Sequence, residues 1–160
     1  MARFYLAYGS NLNVSQMKFR CPGASVVGTS VIPDYELLFK GSLTGSYLTI
    51  EPKEGSVVPV AVWSVTKRHE VALDRYEGYP SFYYKKSMKV VLDGAVPGFT
   101  AGLDAFVYIM HEERELGIPS EYYVQACLEG YDTFGFSHKF IEDALKRSEE
   151  GARYEVSRMW

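Results

Sequence analysis

The rhythm of apolar and polar positions changes at about residue 110. Up to that point, runs rich in aromatic and β-branched residues cover 3–8, 24–40, 46–51, 57–65, 82–92 and 103–110. Gly, Pro or Asp turns separate them, and they read as strands. Several alternate apolar with polar positions, as sheets with one buried face do. Helical spacing interrupts the strands twice. Asn13 stands three residues before Gln16, close to a capping box, and predicts a short helix over 14–20 that Cys21-Pro22-Gly23 ends. A second helix covers 67–77. Two more fill 120–133 and 137–149 after the last strand. Strands first and helices last predict an α+β fold whose antiparallel or mixed sheet can curl into a barrel. Residues 1–150 read as a single domain. The tail over 151–160 is either frayed or docked through Tyr154, Met159 and Trp160, on the body of the protein or on a neighbouring subunit.

Composition narrows the function more than the fold. A chain of 160 residues suits one domain with a real core. Its 13 tyrosines suit half-buried pocket walls as well as sheets, because each ring is apolar with a hydrogen-bonding tip. A net charge of -3 offers no broad basic surface, so neither nucleic acid nor an anionic membrane is expected as a partner. The one cationic cluster, Lys85, Lys86 and Lys89, reads as the solvated face of a strand. No apolar run approaches the roughly 20 residues of a membrane span. The start lacks the basic, apolar and small-residue sequence of a secretory leader. Cys21 and Cys127 stand far apart and read as buried thiols. A soluble, cytoplasmic protein is the expectation.

Most familiar chemistry finds no foothold. His69, His111 and His138 have no companion ligand at metal-binding spacing, and "HEERE" at 111–115 lacks a second histidine, so they read as surface or packing residues. "GSLTGS" at 41–46 lacks the Lys-Ser/Thr ending of a phosphate loop and reads as a hairpin turn. Ser10 is not in a G-x-S-x-G pattern.

Two stretches remain. In "FYLAYGSNLN", 4–13, a strand ends at Tyr8, turns through Gly9-Ser10-Asn11 and enters a helix capped by Asn13. Backbone donors are thereby aimed at one point, with the positive end of a helix dipole behind them. The arrangement is either a plain strand-to-helix turn or a cradle for a carboxylate or an oxyanion. In "VALDRYEGYP", 71–80, Ala72, Leu73 and Tyr76 share a helical face with Glu77, four residues after Leu73. The acid either snorkels to solvent or turns toward the core at the helix's negative end. There burial and the dipole would raise its pKa into the range of a general acid–base.

Together, "YGSN" at the end of the first strand and "LDRYEGYP" some seventy residues later resemble the gamma-glutamylcyclotransferase-like family, which includes the AIG2-like proteins. The resemblance spans roughly 3–145. It implies a small mixed, mostly antiparallel β-barrel with flanking helices. The activity it implies is cyclisation of a small γ-glutamyl amine or peptide to 5-oxoproline and the free amine, by a monomer or homodimer and without cofactor or metal. Carried over by motif, the substrate loop falls on Tyr8, Gly9, Ser10 and Asn11, with its backbone running on to Leu12, and the acid–base falls on Glu77. Two pocket tyrosines fall on Tyr108 in "AFVYIM" and on Tyr123 in "PSEYY", where Tyr122 is the rival match. The segment 41–56 is shorter than in better-known members, and that bears on how the leaving half is recognised. Two other readings stay open: a non-catalytic ligand-binding module on the same fold, and deprotection of a γ-glutamylated metabolite by the same ring closure.

Overall fold

The computed structural model describes residues 2–42, 45–94 and 102–158, with the side chains of 42 and 152–158 excepted. Strand β1 (Arg3–Ala7) runs into a single 3-10 turn (Ser10–Leu12) and helix α1 (Val14–Arg20). Two long strands follow, β2 (Ser25–Ser42) and β3 (Gly45–Val65), then helix α2 (Lys67–Glu77). Strands β4 (Tyr83–Val90), β5 (Leu103–Met110) and the short β6 (Glu115–Leu116) precede helices α3 (Glu121–Phe134) and α4 (Lys139–Arg158). The strands form one sheet in the order β4-β5-β1-β3-β2-β6. Only the β1–β5 pairing is parallel among the described pairs. After β4 the chain reaches back to β2: Ser30 Oγ donates to the Val91 carbonyl at 2.6 Å and Asp93 N–H to the Thr29 carbonyl at 2.8 Å. The sheet so curls into a half-barrel, the α+β architecture read from the sequence. Among the described residues no helix is long and apolar enough to cross a membrane.

The core gathers Leu6, Phe39, Ile50, Val60, Val62, Phe106 and Ile109 from four strands, and Cys127, Tyr131 and Ile141 from the last two helices. Both cysteines are buried free thiols. Helix α4 also satisfies β2 beyond β6. Ser148 Oγ accepts from Phe39 N–H at 3.0 Å and donates to its carbonyl at 3.2 Å, while Arg147 donates to the Leu37 carbonyl at 2.8 Å. An edge covered in this way does not offer its backbone to another chain.

Several expectations are corrected. The strands expected over 46–51 and 57–65 are one. Pro52 pairs with Tyr35, and Gly55, at φ 84°, donates its N–H to Asp34 Oδ1 at 3.0 Å beside a register shift between Pro33 and Tyr35. The residues that looked like a turn are absorbed into an irregular but continuous ribbon. Strand β6 is too short to leave a periodic signal. Helix α4 runs to Arg158 rather than ending near 149, so the backbone is helical where a frayed tail was one option. Docking through Tyr154, Met159 and Trp160 concerns side chains and positions outside the described residues. Residues 43–44 of the expected hairpin turn lie outside them too, though β2 and β3 pair up to Ser42 and Gly45 on either side.

The three histidines all have local partners. His69 completes the α2 capping box, its Nδ1 accepting from Thr66 N–H at 3.1 Å while its own N–H donates to Thr66 Oγ1. His111 Nε2 lies 2.7 Å from the Pro80 carbonyl, and His138 Nε2 lies 2.6 Å from Asp132.

Candidate active site

A cavity of about 390 Å³ opens where the end of β1, the last turn of α2, the start of β4, the end of β5 and the start of α3 meet. Tyr8, Gly9, Ser10, Asn11, Glu77, Tyr108 and Tyr123 all line it. Tyr122 is 82% exposed, so its neighbour Tyr123 is the one that faces inward. Leu12 does not reach the cavity. Its side chain is fully buried and its N–H donates to the Gly9 carbonyl at 3.0 Å. The reason is the 3-10 turn: closing it takes the N–H groups of Leu12 and Asn13, the latter bonded to the Ser10 carbonyl at 2.9 Å. The N–H groups of Gly9, Ser10 and Asn11 are left without a hydrogen-bond partner among the described residues. Asn13 caps α1 by accepting from Gln16 N–H at 3.2 Å and is not part of the cavity wall. Gln16 turns to Arg20 instead of completing a capping box.

Side chains fix the turn from both sides. Asn11 Nδ2 donates to Tyr5 Oη at 2.8 Å, and Arg20 holds Asn11 Oδ1. The Arg20 guanidinium carbon also lies over the Tyr76 ring, 3.6 Å from its centroid, and Tyr76 Oη meets Ser10 Oγ at 3.3 Å. Neither Arg20 nor Tyr5 stands out in the sequence. Arg20 closes α1, and its side chain runs back along the helix past Gln16 to reach Asn11, nine residues earlier. Tyr47, Phe82 and Tyr83 complete the far wall, with Tyr47 edge-on to both Phe82 and Tyr123.

Glu77 is the last residue of α2. Gly78 ends the helix in the left-handed conformation, φ 65°, and the Tyr79 N–H closes onto the Asp74 carbonyl at 2.9 Å. Leu73 is fully buried one turn earlier, which aims the Glu77 carboxyl inward. The side chain is half-buried, its open side the cavity, and it has no hydrogen-bond partner among the described residues. Burial pushes its carboxyl up to about 8, against the Arg20 guanidinium, which pulls it down. A carboxyl raised on folding keeps its proton in the native state after the unfolded chain has lost it. Stability therefore falls as pH rises from about 4.5 and levels off above about 8. Glu77→Gln removes that fall. The variant should match wild type near pH 4.5 and melt higher at pH 9, by a margin of about 2–4 kcal/mol, given about 1.4 kcal/mol per pH unit and the open side of the group. Thermal unfolding of both proteins across that range checks it, and a gap that does not widen with pH would refute the buried carboxyl.

Behind the cavity, Lys85 is not on a solvated strand face. Its ammonium is 2.8 Å from Glu70 and 3.0 Å from Asp74, while Lys86 and Lys89 do face solvent.

Comparison with known proteins gives a consistent picture. The family model for gamma-glutamyl cyclotransferase, AIG2-like proteins matches residues 5–125. A human gamma-glutamylcyclotransferase is 28% identical over 171 residues, an alignment covering 91% of this chain and 88% of the human one. A solved gamma-glutamyl cyclotransferase superposes with a TM-score of 0.78 at 25% identity, over 90% of this chain and 86% of that one. A gamma-glutamyl cyclotransferase specific to glutathione from yeast shares the fold, at a TM-score of 0.62 and 11% identity over 93% of this chain and 96% of its own.

Proposed function

The chain belongs to the gamma-glutamyl cyclotransferase, AIG2-like family, and from that premise we propose that it converts a γ-glutamyl amine or peptide to 5-oxoproline and the free amine, with Glu77 as general acid–base. The observation that carries this reading is an unpartnered carboxyl, pushed up to about 8, sharing a cavity with three bare backbone N–H groups.

The ionised Glu77 carboxylate takes a proton from the substrate's α-ammonium. The freed amine attacks its own γ-carbonyl carbon, closing a five-membered ring and placing negative charge on the carbonyl oxygen. Glu77 gives its proton to the leaving nitrogen, the C–N bond breaks as the oxyanion collapses, and the ring nitrogen's surplus proton goes with the departing amine. Raising Glu77 to about 8 brings it toward the range in which amines titrate, so less driving force is lost when the proton passes in either direction. The nucleophile is tethered, so the protein has mainly to fold the substrate back on itself. The N–H groups of Gly9, Ser10 and Asn11 receive the substrate carboxylate or the oxyanion. Every step is a proton transfer, the addition of the substrate's own amine or the expulsion of the leaving amine, and none calls on a cofactor.

The test is incubation with a panel of γ-glutamyl compounds, including glutathione and ε-(γ-glutamyl)-lysine, with 5-oxoproline followed by mass spectrometry. At least one compound should yield it. Ligands that raise the melting temperature without ring-closed product would replace catalysis with binding.

A further inference from the structure

We propose that Asp74 is a positioning residue: by accepting the hydrogen bond that the Tyr108 phenol donates, it leaves that hydroxyl to act as an acceptor for the α-ammonium of the substrate. The inference rests on the γ-glutamyl reading above and adds to it a residue outside the cavity wall.

A phenol has one proton to give and lone pairs with which to accept, whereas an ionised carboxylate only accepts. Tyr108 Oη lies 2.6 Å from Asp74 Oδ1, so the proton between them belongs to the phenol and is committed to Asp74. What Tyr108 has left for the cavity it lines is lone pairs. Asp74 is held in place from behind. Lys85 Nζ lies 3.0 Å from its carboxylate and 2.8 Å from Glu70, which in turn takes Arg3 at 2.7 Å. Asp74 stands three residues before Glu77 on the same face of α2, so one helix places both the acid–base and the residue that orients Tyr108.

Two other cavity tyrosines are committed in the same sense. Tyr8 Oη donates to the Tyr108 carbonyl at 2.7 Å, and Tyr83 Oη donates to the Leu48 carbonyl at 2.7 Å. Backbone carbonyls accept only, so these oxygens also turn lone pairs to any further partner. With the Glu77 carboxylate they form a receiving side suited to a cation. Burial holds all three phenols far above their ordinary pKa, so they keep their protons at any working pH. The turn presents the opposite polarity. Tyr5 Oη accepts from Asn11 Nδ2, whose amide orientation is set by Arg20 on its oxygen, and so Tyr5 keeps its own proton to give. The N–H groups of Gly9, Ser10 and Asn11 give as well. An amino acid head group matches this division, with the ammonium toward Tyr108 and Glu77 and the oxygens toward the turn.

The test compares wild type, Asp74→Ala and Tyr108→Phe on one turned-over γ-glutamyl substrate, using as inhibitor the matching N-substituted glutaramate, which lacks only the α-amine. Each variant should raise KM about tenfold, the scale of one hydrogen bond to a charged group, while the inhibition constant of the amine-free ligand stays within about twofold. The double variant should be no worse than the poorer single, because Asp74 acts through Tyr108. An inhibition constant that rises with KM, or a KM that does not move, would overturn the proposal. If Asp74→Ala does not fold, Tyr108→Phe, which keeps the ring, decides by itself. Failure of the underlying reading looks different: wild type then yields no 5-oxoproline, and there is no KM to compare.

Discussion

Glu77→Gln should abolish 5-oxoproline release, lowering kcat by about a thousandfold or more, the upper range for loss of a general acid–base. Gln has the length and shape of Glu, so the cavity, the α2 terminus and the Gly78 cap have no cause to move. What it lacks is a group that can take the α-ammonium proton and pass one to the leaving nitrogen. The half-barrel around it should be undisturbed and, above about pH 8, stabilised, since an unpartnered carboxylate no longer has to be kept in a largely enclosed site. Loss of turnover together with a raised melting point separates a chemical role from a structural one, because a merely structural residue would lose both. The assay is single-turnover formation of 5-oxoproline alongside a melting curve at the same pH. A variant that turns over at close to the wild-type rate would remove Glu77 from the mechanism.

The parts of this site that could be read from the sequence were those fixed by near neighbours. Helix α2 falls on 67–77 as expected because Thr66 caps one end and Gly78 the other, and the four-residue step from Leu73 to Glu77 aims the acid inward. The strand–turn–helix of "YGSN" was readable for the same reason. What escaped depends on register and chain reversal. Tyr5, Tyr47 and Tyr83 line the cavity because β1, β3 and β4 meet through β5 and the curl of the sheet, and strand order leaves no local trace. Leu12 looked like part of the loop by adjacency, yet the 3-10 turn rotates it into the core. Lys85 alternated like a solvated residue and is instead paired with two acids one and two turns before Glu77 on α2. The resemblance reached Tyr108, but the direction of its hydroxyl is set by Asp74, which stands within "LDRYEGYP" without a role assigned to it.

Gly130→Ala should cost both stability and activity, and the sign of the first is informative. Gly130 lies within α3 with ordinary helical backbone, where Ala would usually stabilise by about 1 kcal/mol. Here α3 is pressed against the substrate turn. A methyl at 130 would come 2.5 Å from the Leu12 carbonyl carbon, 2.6 Å from its Cβ and 2.8 Å from Asn13 N. Two of those are backbone atoms that cannot swing aside, so either the helix lifts or the turn shifts. Overpacking of this kind costs about 1–3 kcal/mol or more, a fall of roughly 3–10 °C in melting temperature for a chain of this size. The same shift moves the Gly9, Ser10 and Asn11 donors away from Glu77, and a displacement of about 1 Å can cost on the order of a hundredfold in rate. The rate is to be measured well below the variant's melting temperature, where the protein is fully folded, so that a loss reports geometry rather than unfolding. A stabilised Gly130→Ala with unchanged kcat/KM would mean that α3 does not brace the turn, and that the bare N–H groups are held by Asn11 and Arg20 alone.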